Sequence, residues 1–262
     1  MTTVLPTPTP TPAPTPAPVP AAPVPPAPPD RAAATAAVGL AVLFTGAFTL
    51  LGITFDYPAV LDAGAAEVLT RFAAAGTATR VLWYAMLVAS LAFVPLAVLL
   101  GRSLAARLPR PSVLVDLAVA VGVTAGVVQA VGFARWTFAV PYLAATFTDP
   151  VATPATRESV LVAYEVLHRL VGGGLGEHLG YATTAVWTVL TAVLLARVPG
   201  VPRIVPAIGV AAAAGIATGL FEVTGATWPA LPVSGGYLVF AAWLAGIGWL
   251  LLRGRADRAG RI

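Results

Sequence analysis

Six long apolar runs, each bounded by charged side chains, constrain this chain more than any other feature of its sequence. They cover roughly residues 33–55, 81–101, 113–134, 179–196, 204–221 and 231–252. Crossing ~30 Å of hydrocarbon as a helix takes about 20 apolar residues, and each run is of that order. Arg31 and Asp56 bracket the first run, and Arg80 and Arg102 bracket the second, which holds Pro95 as a candidate kink. The third carries Asp116 one turn in and stops at Arg135; His178 and Arg197 bracket the fourth, Arg203 and Glu222 the fifth, and Arg253 closes the sixth. The runs are continuous, whereas a membrane β-strand alternates apolar and polar residues over ~10 positions. The expected fold class is all-α: an integral membrane bundle of six transmembrane helices. Composition agrees. Charged residues make up 10% and hydrophobic ones 58% of the 262 residues, against about 25% charged in soluble domains, so much of the surface must face lipid.

Thirteen of the first 29 residues are proline, which fixes φ and removes a hydrogen-bond donor. Residues 1–30 are therefore expected to be a disordered, proline-rich cytoplasmic tail of polyproline II character. They lack the basic stretch and apolar core of a signal peptide. Residues 31–253 form the six-span domain and 254–262 a basic cytoplasmic tail. The partners suggested are the lipid bilayer and a proline-recognising protein for the tail; nothing marks an oligomeric state.

Arginine placement orients the spans. One side receives Arg31, Arg102, Arg107, Arg110, Arg197, Arg203, Arg253, Arg255, Arg258 and Arg261; the other receives Arg71, Arg80, Arg135, Arg157 and Arg169. The richer side is cytoplasmic by the positive-inside rule, so both termini are expected there. All fifteen basic residues are arginine, a usage typical of GC-rich bacterial genomes, and the bacterial inner membrane is the expected location. The arginines are scattered at helix ends, so no nucleic-acid surface is expected. Cysteine is absent, which removes disulfides and thiolate metal sites.

Two connections exceed a turn. Residues 56–80 contain a short amphipathic helix near 66–72, expected at the membrane interface. Residues 136–177 form the largest loop, in which Thr153-Pro154 reads as an N-cap followed by proline at the first helical position. That loop helix is expected to run to about Val171 and to break at Gly172-Gly173-Gly174. Phe133, Trp136, Phe138, Tyr142 and Phe147, with Trp228, are placed at the outer headgroup level. Gly215 and Gly219 form a GxxxG, repeated in spacing by Ala242 and Gly246, and are read as packing positions within the chain.

The topology gathers Arg135, Glu165, His168, Arg169, Glu177, His178 and Glu222 on the outer side. Ionisable groups at membrane depth are costly and mark a function or a partner. The first reading is mutual ion pairing: Glu165 with Arg169 at i, i+4, and Glu177 or Glu222 with Arg135. The second is a metal or haem site, with Glu165, His168 and His178 as candidate ligands, since Glu165-x-x-His168 puts two donors on one helix face; no cofactor is the favoured expectation. The third is a transport route, which would call for charges at span centres; none occur. Gly172 to Gly176 is no dinucleotide loop, because the third glycine position falls on Glu177 and no strand precedes it. Ser90, Ser103, Ser112, Ser159 and Ser234 lie in no elbow motif, so no catalytic residues are assigned and the chain reads as other than an enzyme.

The segment Phe133-Ala-Arg135-Trp136, then Pro141, Thr156-Arg-Glu, Gly174-Leu-Gly176-Glu177-His178-Leu-Gly180-Tyr181 and Trp187, resembles a family of bacterial six-helix membrane proteins catalogued as domain of unknown function 4386. The resemblance spans about residues 33–252. It implies a six-helix bundle and the association of Arg135, Glu177 and His178, and it brings no catalytic residues. The functional expectation is a structural or sensory membrane protein with an outward-facing polar cluster.

Overall fold

The computed structural model describes residues 31–253; the proline tail and the basic C-terminal tail lie outside them. Among the described residues the secondary structure is helical throughout, with six helices long and apolar enough to cross a membrane. The spanning helices are α1 (Arg31–Phe55), α3 (Gly76–Ala105), α4 (Val113–Ala134), α7 (Gly180–Arg197), α8 (Ile204–Ala217, carried on by a 3-10 segment, Thr218–Thr224) and α9 (Ala230–Arg253). α3 runs unbroken through Pro95.

Each helix packs on its neighbours in sequence, and α9 returns to α1, so the six form a closed ring. Small residues make each approach possible where lipid offers no drive to associate. Gly126 faces the Ser90 carbonyl of α3, Gly122 of α4 receives the Trp187 ring of α7, and Gly219 receives the Tyr181 ring. Gly215 meets Gly236 of α9, and Gly248 meets Ala34 and Val38 of α1. Both glycines of the Gly215/Gly219 pair thus pack within the chain, while Gly246 has open space around it. The outer surface is apolar, with Val42, Ile53, Val81, Val127, Val186, Ile208 and Trp249 exposed, as a lipid-facing bundle requires.

The 136–177 stretch departs from the loop expected for it. α4 continues through a π-helical segment, Arg135–Ala139, into α5 (Val140–Thr148); after a tight turn, α6 (Pro154–Leu167) continues through a second π-helical segment, His168–Leu179, into α7. The Thr153 hydroxyl caps α6 by accepting from the Thr156 N–H at 3.1 Å, with Pro154 at the first position. The chain does not break at Gly172-Gly173-Gly174, because helical backbone can run through glycine wherever tertiary contacts offset its flexibility. The Pro154–Arg197 rod is 44 residues long; at about 1.5 Å per residue it is roughly twice as long as a bilayer core is thick, more than one crossing requires.

α2 (Ala65–Ala74) is the short amphipathic helix, but its apolar face is covered by protein: Val68, Leu69 and Phe72 are buried, and the helix packs on α5. Arg71 holds it to Glu67 at 2.9 Å and to Asp56 at 3.3 Å. Two apolar clusters fill the interior. One, at the α5–α6 hairpin end, joins Phe55, Phe72, Trp83, Met86, Trp136 and Tyr164; the other, in the membrane, is built around Phe93, Trp187, Phe240 and Trp243 from α3, α7 and α9.

Candidate functional site in the hairpin half of the bundle

The site begins with the π-helical segment at the end of α4. A π turn closes with i→i+5 hydrogen bonds, here the Val140 N–H to the Arg135 carbonyl, and so places one more residue per turn on the inward face than an α-helix does. Arg135 and Trp136, adjacent in sequence, are both buried, at 7% and 1% exposure. Trp136 was expected at the headgroup level; it lies instead inside the protein, stacked on Trp83 with centroids 4.3 Å apart and planes 6° apart. Phe138 and Tyr142 point outward as expected, each 70% exposed.

The glycines of the second π segment bring it against Arg135. A Cβ on Gly132 would lie 2.5 Å from the Gly176 Cα, so these two backbones touch. The guanidinium of Arg135 occupies the space that a side chain on Gly172 would need. With the backbones this close, Glu177 reaches Arg135: Oε1 is 3.6 Å from Nη2, close enough to neutralise the charge but too long for a hydrogen bond. Arg135 Nη1 donates to the Gly132 carbonyl at 2.9 Å, the guanidinium carbon lies 5.4 Å from the Trp136 ring, and Nε is buried without a partner among the described residues.

Arg135 and Glu177 border a cavity of about 70 Å³. Its walls are aromatic: Phe44 and Phe48 from α1, Tyr57 from the turn that follows, Phe133 and Trp136, Tyr181 from α7 and Tyr237 from α9. Gln129 and Ser234 supply its remaining polar side chains. Burial pushes the Tyr57 phenol well above its ordinary pKa, so it remains a neutral hydroxyl. Phe44, Gln129 and Tyr237 also line a second cavity of about 30 Å³ deeper in the bundle, beside Ser90 and Thr184. There Gln129 Nε2 donates to Thr184 Oγ1 at 2.7 Å. Phe93 and Phe240 wall this second cavity and are in mutual contact with Trp187 behind them.

Glu177 also lines a wide cleft of about 790 Å³ at the hairpin end, with Asp62, Glu165, His168, Arg169, His178 and Glu222. Every residue expected in the polar cluster except Arg135 therefore borders one opening, and Glu177 stands between that opening and the inner cavity. Glu165 pairs with Arg169 at 3.1 Å, both partly exposed, and His168 stacks on Tyr164 at 5.5 Å. Among the described residues no three His, Asp or Glu side chains gather closely enough to hold a metal ion; Glu165, His168 and His178 share the cleft without forming a metal shell. The cavity walls Tyr57, Tyr237 and Gln129 were not singled out from the sequence, and Tyr181 entered only as part of the family resemblance. The one available signal was Gln129, an amide within an otherwise apolar run.

These features define a multi-pass membrane protein whose six-helix ring encloses a small aromatic-walled cavity with a buried arginine at its edge. The chain belongs to the family described as Domain of unknown function (DUF4386), whose profile matches residues 37–254. No curated protein and no solved structure matches it.

Proposed function

We propose that the protein is a sensory component of the bacterial cytoplasmic membrane, with both termini in the cytoplasm, that takes a small ligand from the outer side into the aromatic-walled cavity. The carrying observation is Arg135, buried in the bundle with an unpartnered Nε and one long ion pair. A buried ion pair contributes little to stability relative to apolar packing, and ionisable groups at this depth ordinarily serve a ligand or a partner. The cleft supports access: Glu177 borders both it and the cavity. The aromatic cluster at the second cavity favours binding over passage through the bundle. The arginine asymmetry of the sequence supports the orientation.

The absence of cysteine makes a direct test available. Val223 lines the cleft and Ser234 the cavity. In intact spheroplasts, Val223→Cys and Ser234→Cys variants are expected to react with a small membrane-impermeant thiosulfonate added outside, Ser234→Cys more slowly. Reaction of Val223→Cys only after the membrane is opened would reverse the orientation. An unreactive Ser234→Cys beside a reactive Val223→Cys would close the cavity to outside ligands and leave a structural role.

A further inference from the structure

We propose that the inner cavity binds a small amphiphilic monocarboxylate, its carboxylate on Arg135 in place of Glu177 and its apolar body among the aromatic walls. This rests on the reading of the cavity as a ligand site. Three observations carry it.

The first is size. A water needs roughly 10–15 Å³ of such space, so a cavity of about 70 Å³ holds a molecule of only a few heavy atoms. A lipid chain or a nucleotide is far too large.

The second is charge. Arg135 is the cationic side chain bordering the cavity and Glu177 the anionic one. The guanidinium has an unpartnered Nε and holds its carboxylate at 3.6 Å rather than at bonding distance. Carboxylates fit the planar guanidinium fork at 2.7–2.9 Å, so a ligand carboxylate can improve on the contact Glu177 makes. An ammonium ligand would meet Arg135 unfavourably, and a second carboxylate on the ligand would find no partner.

The third is a route for the displaced group. Glu177 borders the cleft as well as the cavity, and its side chain is 26% exposed. Turning outward brings it into the water of the cleft, whose lining carries His178 and Arg169 as well as Asp62 and Glu222, so ligand binding need not bury a second negative charge. The side chains of Tyr57, Tyr181 and Tyr237 line the same cavity together with Gln129.

The test uses the full chain in detergent, following tryptophan fluorescence because Trp136 lines the cavity. Butyrate, its neutral isostere butyramide, and butylammonium are the probes. The expected result is a saturable response to butyrate, with butyramide and butylammonium weaker by about tenfold or more, the scale of one lost charge-assisted contact. Glu177→Gln removes the competing carboxylate and is expected to tighten butyrate binding; Arg135→Gln is expected to abolish the preference for butyrate over butyramide. If Arg135→Gln does not fold, the wild type and Glu177→Gln decide. Butyramide binding as well as butyrate would overturn the carboxylate assignment and leave the cavity a ligand site. A saturable response to none of the three probes would overturn this proposal, and the cysteine-labelling experiment separately reports whether the cavity is open at all. Unchanged or weaker butyrate binding in Glu177→Gln would overturn the displacement of Glu177.

Discussion

Gly172 and Gly173 are neighbours in a run of three glycines, yet the structure gives them different work. A side chain on Gly172 would overlap the Arg135 guanidinium, whereas one on Gly173 would come no nearer than 3.9 Å to Glu177 and 4.0 Å to the His168 carbonyl. Gly172→Ala is therefore expected to lower stability by about 1–3 kcal/mol, the usual cost of overpacking, while Gly173→Ala should stay within about 0.5 kcal/mol of the parent. Thermal unfolding in detergent, followed by circular dichroism, compares the two; equal effects would mean that Arg135 does not sit against Gly172. The Arg135–Glu177 pair yields a companion expectation. Replacing one member of a buried pair strands the other, but replacing both with apolar residues is often neutral or stabilising. The double variant Arg135→Leu, Glu177→Leu should unfold at or above the parent's midpoint, and a lower midpoint would assign the pair a structural role.

At the scale of elements, the π-helical segments decide which residues face inward. The wider i→i+5 turn shifts the register of the residues that follow it relative to an uninterrupted α-helix of 3.6 residues per turn. The extra residue in the 135–139 turn turns the Trp136 ring onto Trp83, Phe55 and Phe72 and leaves Phe138 outside. Trp136→Ala should cost about 3–5 kcal/mol, as for large aromatic truncations in a packed core, and Phe138→Ala should be near neutral. The reverse order in a detergent unfolding series would contradict the π register. The second segment packs on Arg135 of the first through Gly172, and on the end of α4 through the Gly132–Gly176 contact. That contact positions Glu177, and with it the boundary between cleft and cavity.

For the whole molecule, the decisive feature is ring closure between the first and last spans. A Cβ on Gly248 would lie 2.7 Å from Val38 Cγ2 and 2.9 Å from the Ala34 carbonyl oxygen of α1, whereas Gly246 of the same helix has open space around it. Gly248→Ala is therefore expected to lower stability by about 1–3 kcal/mol, the usual cost of overpacking, while Gly246→Ala should not lower it by more than about 0.5 kcal/mol. Thermal unfolding in detergent compares the two, and equal effects would leave α1 and α9 apart and the ring open.

The number of spans and the helical class were legible in the sequence, because each follows from local chemistry: the length of an apolar run and the charges that stop it. The α6 N-cap at Thr153-Pro154 was legible for the same reason. The sequence offered Glu177 or Glu222 as the partner of Arg135, and only the structure selects Glu177. The course of residues 136–177 was not legible. Polar residues and a glycine triplet look locally like a loop, and only contacts from Gly132, Gly172 and Gly176 make continuous helix the better solution. Nor could the cavity be read in advance, since its walls come from α1, α4, α7, α9 and the turn after α1, residues far apart in the chain that meet only when the ring closes. The sequence by itself determined that this protein crosses a membrane six times, because burying apolar runs in lipid requires no knowledge of neighbours. Only the tertiary structure decided that Arg135 faces a cavity rather than the headgroups, because the facing of a side chain depends on helix register and on how closely the next helix can approach.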